Sequence, residues 1–118
     1  MEFNYEKLDV TKLARWVVKE VYILTKKFPS AEIYGLTSQL RRSAVSVLLN
    51  IAEGANRNSK LDNNHFLNIS VASLVETDCA LKIAIDLGFL KQEQYDLLEP
   101  KIKELYFKLK GLGKYLKK

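Results

Sequence analysis

Few residues in this sequence could do chemistry, and most of them are amides, hydroxyls and charged groups set at helical spacing. Arg42, Ser46, Asn50, Glu53 and Arg57 recur every three or four residues, which puts them on one stripe of a helix. Ser73 and Glu76 interrupt an apolar stretch further along. Polar groups among apolar neighbours cost free energy unless they are paired, so Arg42, Ser46, Asn50, Glu53, Ser73 and Glu76 are expected to form a structural cluster. If the two helices make an antiparallel hairpin closed near residues 57–62, facing residues should have numbers summing to about 119. Arg42 then meets Glu76, Ser46 meets Ser73, and Glu53 lies near His65 or Phe66. An Arg42 to Glu76 ion pair is expected, with Arg41 as the competing partner, and its work would be to fix register. Read instead as an active-site acid, Glu76 lacks a second acid, a metal ligand or a nucleophile beside it.

The remaining inventory also points away from catalysis. His65 is the only histidine and Cys79 the only cysteine, which excludes an internal disulfide and leaves too few ligands for a structural zinc. Cys79 sits in an apolar stretch and is expected to be a buried small hydrophobe. There is no glycine-rich phosphate loop and no nucleophile with a usable histidine. The sequence is therefore expected to be neither an enzyme nor a holder of metal or cofactor.

Two basic rows suggest an anionic partner. Lys12, Arg15, Lys19 and Lys26 share one side of a helix with Tyr22 among them, and Lys103, Lys110, Lys114 and Lys117 share a side of another, followed by Lys118. Such rows can neutralise phosphates with release of counterions, or they can be solvated surface. Net charge is +5 and uneven: residues 62–90 hold one lysine against four acids, and residues 91–118 eight lysines against four.

These residues need elements to position them. With 118 residues, 47% of them hydrophobic, the chain is long enough for one domain spanning 1–118 with a single core. No apolar run is long enough to span a bilayer and no basic, then apolar, leader opens the chain, so a cytoplasmic protein without membrane contact is expected. Val10, Leu13, Val17, Val21, Leu24 and Phe28 mark helix one over residues 9–28, stopped by Pro29. Leu36, Leu40, Ala44, Val47, Ile51 and Ala55 mark helix two, ending near Arg57. Its other side, Val45, Leu48, Leu49 and Ala52, is apolar too, so it should be buried on more than one side. Asp62 is a reasonable N-cap for helix three, which runs to about Leu87 before Gly88. Phe66, Ile69, Ser73, Glu76, Ala80 and Ile83 form one of its stripes, and Leu67, Val71, Leu74, Leu81 and Ile85 another. Helix four carries Leu98, Ile102, Leu105, Leu109, Leu112 and Leu116, a coiled-coil-like seam. Pro100 should kink it, the other possibility being a helix that starts near the proline. No strand signal occurs, so the expected fold is all-α, an antiparallel up-and-down four-helix bundle.

The string Phe28-Pro29, Glu32, Tyr34-Gly35-Leu36-Thr37, Gln39-Leu40-Arg41-Arg42, Ala44, Ser46 and Asn50-Ile51-Ala52-Glu53-Gly54 closely resembles the four-helix bundle proteins encoded in intervening sequences of bacterial 23S ribosomal RNA genes. The resemblance continues through Arg57, Phe66-Leu67, Ser73 and Glu76, while helix four matches by pattern only; Ser43 and Leu48-Leu49 depart from the usual residues without breaking the motif. It implies a left-handed bundle that assembles with copies of itself into a ring of five. The sequence is similar as well to accessory proteins of diversity-generating retroelements, basic rings associated with nucleic acid and reverse transcriptase. No catalytic residue carries over.

The leading expectation is a homo-oligomeric protein that binds structured RNA or DNA through its basic rows, since a ring would repeat each row around an axis. The alternative is an adaptor that docks a nucleic-acid enzyme such as a reverse transcriptase without touching nucleic acid.

Overall fold

The computed structural model describes residues 1–117, Lys117 by its backbone alone; Lys118 and the Lys117 side chain, both assigned above to the helix-four row, lie outside the described residues. Four helices follow one another: α1 (Asp9–Thr25), α2 (Leu36–Ala55), α3 (Lys60–Asp86) and α4 (Gln92–Lys117), with single 3-10 turns at Asn4–Lys7 and Ser30–Glu32. No strand occurs among the described residues. Each helix packs on its sequence neighbours and α1 closes against α4, with no packing across either diagonal. Short connections make neighbours antiparallel, and the result is an up-and-down four-helix bundle of 44 × 25 × 22 Å.

The core is a set of facing apolar stripes. Val17 and Val21 of α1, Leu40, Val47 and Ile51 of α2, Leu74 and Leu81 of α3, and Leu105 and Leu109 of α4 are all buried. The helix-four seam is as expected from its spacing, Leu112 and Leu116 being half-buried near the end. Helix three differs: Ile69, Glu76 and Ile83 are exposed, and the buried stripe runs Leu67, Ser70, Leu74, Thr77, Leu81, Ala84. A helix that is apolar on most sides gives its period without its phase, and the packing partner chooses the phase.

The helix ends show local causes. α1 stops at Thr25, three residues before the expected end, where the Thr25 hydroxyl bonds back to the Val21 carbonyl at 2.7 Å. Glu32 Oε1 accepts from the Leu36 amide at 3.1 Å and so caps the start of α2; a Cβ on Gly35 would lie 2.9 Å from that oxygen. Asp62 is not the cap of α3. Ser59 is, its hydroxyl accepting from the Asp62 amide at 3.0 Å, and Asp62 lies in the first turn, where its charge favours the helix dipole. Gly88 takes φ +79° beyond α3, the left-handed geometry that suits glycine. α4 begins at Gln92, so Pro100 is interior to a continuous helix, and its exposed position leaves water to satisfy the carbonyl it cannot serve.

The α2–α3 pair is held by small residues and hydroxyls. Ser46 and Ser73 hydroxyls are 2.8 Å apart, as the register predicts, and Asn50 Nδ2 donates to the Ser46 carbonyl and hydroxyl at 2.8 and 3.0 Å. Ser70 donates to the Val47 carbonyl at 2.7 Å. Thr77 Oγ1 lies 2.8 Å from both the Ser43 hydroxyl and the Ser73 carbonyl, so its one proton serves one at a time. At Gly54, a Cβ would sit 2.7 Å from Asn63 Oδ1 and 3.0 Å from Phe66 Cβ, and this close approach requires glycine.

Two expectations, the Arg42–Glu76 pair and a buried Cys79, need correction here. No ion pair joins Arg42 to Glu76 among the described residues: Arg42 is exposed and lines an outward groove with Val45 and Leu49, and Glu76 accepts from Gln39 instead. Positions 42 and 76 sum correctly for the register, but residue 42 points about 100° away from Ser43, which meets Thr77 of α3. Glu53 pairs with Arg57 at 2.5 Å along its own helix, and Arg57 stacks on Phe66 with 4.6 Å to the ring centre. Cys79 is exposed, because α3 turns Thr77, Ala80 and Leu81 inward. The second apolar side of α2 is partly covered within the chain: Tyr5, in the first 3-10 turn, shares a depression with Leu48, Leu49 and Ala52, although Leu49 remains 61% exposed.

Candidate nucleic-acid interface

The helix-one row is solvent-facing throughout: Lys12, Arg15, Lys19 and Lys26 are all exposed, as is Tyr22 among them. The row leans toward α2. Arg41 of α2 lies over the Tyr22 ring, 4.6 Å from its centre, and its Nε donates to Thr25 Oγ1 at 2.9 Å. Arg15 shares a depression with Leu48, Leu49 and Ala52 of α2. The other side of α1 faces α4, where Lys108 Nζ lies 3.9 Å from Asp9 and 3.2 Å from Glu104.

In the helix-four row, Lys103, Lys110 and Lys114 are likewise exposed. They lean toward α3. Lys103 lines a depression with Leu74, Val75 and Asp78, and Lys110 and Lys114 line another with Asn64, Asn68 and Val71. The two rows therefore do not merge. One occupies the α1–α2 face and the other the α3–α4 face, on opposite sides of the bundle, with the mixed-charge α1–α4 seam between them.

Each face has its own floor. Between α1 and α2 a groove is lined by Tyr22, Ile33, Tyr34, Arg41, Val45 and Leu49, with Arg42 and Asn50 at its edge. Arg41, Arg42 and Tyr34 thus extend the basic row, a role the sequence reading did not give them; Tyr34 is 95% exposed beside a basic row, and an aromatic in that setting is the signal that was available. Between α3 and α4 the surface is mixed: the depression at Lys103 is floored by Leu74, Val75, Ile102 and Tyr106 with Asp78 and Glu99 beside them, and the one at Lys110 and Lys114 holds the amides of Asn64 and Asn68. Tyr95, 5% exposed, donates to Asp78 Oδ1 at 2.5 Å, and Lys82 Nζ is 2.8 Å from the other oxygen. Burial, then the bond to Asp78, pushes the Tyr95 phenol up to about 12, while the bond to Asp78 and its charge raise the Lys82 ammonium. This trio fastens α3 to α4 beneath the lysine row. Of the polar cluster, Ser46, Asn50 and Ser73 meet, whereas Arg42, Glu53 and Glu76 face water.

Comparison with protein families matches residues 6–111 to the 23S rRNA-intervening sequence protein model. The chain belongs to that family. The matched range takes in α1 to α3 and all of α4 but its last six residues. In this 23S rRNA-intervening sequence protein, the residues that carry the resemblance fall into two groups. Phe28, Glu32, Gly35 and Gly54 have structural work: Phe28 packs on Phe89 with ring centres 5.9 Å apart, Glu32 caps α2, and the glycines permit close approach. Tyr34 and Arg42 look outward. A crystal structure of a protein of unknown function from the S23 ribosomal protein family of Bacteroides thetaiotaomicron has the same fold, with a TM-score of 0.79 and 24% identity over 89% of this chain and 98% of that one. No curated protein matches the chain. Among the described residues no helix is long and apolar enough to cross a membrane, and no His, Cys, Asp or Glu group is arranged to hold a metal ion.

Proposed function

We propose that this protein is a non-catalytic binding protein that assembles with copies of itself, into a ring of five, and holds structured RNA or DNA through the basic rows of α1 and α4. The observation that carries the reading is the exposure of Lys12, Arg15, Lys19 and Lys26 on one face of the bundle and of Lys103, Lys110 and Lys114 on another. A single bundle offers a few phosphate contacts on each face, and assembly multiplies them around an axis. The apolar groove between α1 and α2 favours a second copy as its cover: Leu49, Val45 and Ile33 form an unpaired apolar surface beside a charged rim, the usual anatomy of an interface. The family's 23S rRNA description favours RNA from that locus as the ligand. Titrating a labelled intervening-sequence RNA at about 50 and about 200 mM salt tests the reading. Binding that weakens steeply with salt is expected, and no binding at the lower salt would refute it.

A second reading rests on α3, whose outward side exposes Ile69, Ala72, Ile83 and Leu87. An apolar strip of this kind suits a protein partner, and an adaptor that docks a nucleic-acid enzyme such as a reverse transcriptase would use it. A pull-down that keeps its protein partner after nuclease treatment supports the adaptor; loss of the partner under nuclease speaks against it.

A further inference from the structure

The outward side of α3 carries an apolar strip. Ile69, Ala72, Val75, Cys79, Ile83 and Leu87 follow one another every three or four residues, so they share one side over about 27 Å of helix, and all six are exposed. Val75 is 52% and Leu87 56% open to solvent. The exposed charges among them, Glu76 and Asp86, are both acids. Lys82, at the edge of the strip, turns to Asp78, 2.8 Å away. The bond from Gln39 occupies one carboxylate oxygen of Glu76 and leaves the other. A contiguous apolar strip with a charged margin marks a surface that another protein covers.

The α1–α2 groove is its counterpart. It encloses about 570 Å³ over Ile33, Val45 and Leu49, and its charged residues are Arg41 and Arg42, with no acid in the lining. Tyr34, 95% exposed in that lining, and the two arginines are residue types that anchor protein contacts. Charge decides how copies of this chain could cover these surfaces. Groove against groove sets the arginines of one copy on the arginines of the next, and strip against strip sets acids on acids, which costs free energy. Strip in groove sets acids on arginines and apolar residues on apolar residues. The charges choose the orientation, and the apolar contacts carry the strength. The two surfaces lie on different helices, so a copy that fills its neighbour's groove still offers its own groove to a third. Accordingly, we infer that the apolar strip of α3 seats in the α1–α2 groove of a second copy, a head-to-tail contact that brings Glu76 and Asp86 to Arg41 and Arg42 of the next chain. The inference rests on the self-assembly reading above, and it gives the strip to a second copy in place of a foreign protein.

Leu49 in the groove and Ile83 on the strip are both exposed and serve as the two test positions. Light scattering reads the mass, and circular dichroism shows that each variant keeps its helices. Leu49→Glu and Ile83→Glu should each reduce the assembly to single bundles of 13.6 kDa. Mixed in equal amounts, the two variants should form pairs of twice that mass and nothing larger, because a pair has one intact strip seated in one intact groove and no third intact surface. Cys79, the only cysteine, reports on the strip itself. Its reaction with a maleimide should be slowed in the assembled, unaltered protein and restored by Leu49→Glu, although Leu49 stands about two helical turns from the level of Cys79 on α2. An assembly untouched by Ile83→Glu, or a mixture that stays as single bundles, overturns the strip-in-groove contact and leaves self-assembly standing. Unaltered protein that is a single bundle at every concentration overturns both.

Discussion

On the α1–α2 face, cations stand over an apolar groove of Ile33, Val45 and Leu49 with no acid in its lining; on the α3–α4 face Lys103 stands beside Asp78 and Glu99 over a mostly apolar depression, and Lys110 and Lys114 stand beside the amides of Asn64 and Asn68. Equal charge above unequal floors leads to unequal work. Cations over an apolar groove suit a site where a protein surface closes and excludes water, with the charges left at the rim. Cations over a polar recess suit a ligand that brings its own donors and acceptors and arrives by electrostatic attraction. On the proposed function, the first face would serve self-assembly and the polar recess of the second would serve nucleic acid, with phosphate attraction common to both.

The largest effect is expected of Leu49→Glu, which puts a charge on the apolar floor of the α1–α2 groove. Light scattering should show the assembly reduced to single bundles with helicity unchanged, and an assembly of unaltered mass would remove the groove from the interface. Next comes charge reversal on the other face. Lys110→Glu with Lys114→Glu should lower RNA affinity by about ten- to a hundredfold and reduce the salt slope by about two, with mass unchanged. A smaller effect belongs to Tyr95→Phe, which removes the hydrogen bond that fastens α3 to α4. Chemical denaturation at neutral pH should show a loss of about 1–2 kcal/mol.

The same tyrosine sharpens the comparison through pH. Its folded pKa of about 12 lies above the ordinary value of 10.0, so the folded state holds the proton more tightly than the unfolded chain. The stabilisation is complete below pH 10 and is lost as pH rises toward 12. Melting temperature should fall across that window, and Tyr95→Phe should flatten this part of the profile. Smallest of all is Glu76→Ala. It removes an exposed bond to Gln39 and no buried ion pair, so its cost should stay within about 0.5 kcal/mol, where the pair expected from the sequence would have cost about 3–5.

The four helices were legible because periodicity, Pro29 and Gly88 are local signals, and the Ser46–Ser73 contact followed from the short 57–62 connection. The exposure of the lysine rows was legible for the same reason, since each row is opposite an apolar stripe. Phase was not legible where a helix is apolar nearly all round. That is why Cys79 was expected inside and lies outside, and why Ser70 and Thr77 went unnoticed. Arg42 shows the related limit: a register sum places residues at the same height along a hairpin without saying which way they point. The separation of the two rows needed the order of helices around the bundle. The close approach of Asn64 to Gly113 needed more still, because the two are far apart in sequence and meet only where α3 begins and α4 ends.

If both rows hold nucleic acid from opposite faces, lysine acylation read by mass spectrometry with and without the intervening-sequence RNA should show it. Lys12, Lys19 and Lys26 on one face and Lys103, Lys110 and Lys114 on the other should lose reactivity when RNA is bound, while Lys91 and Lys101, exposed but outside the rows, should keep theirs. Reactivity unchanged at the rows, or reduced alike at every lysine, would contradict the account.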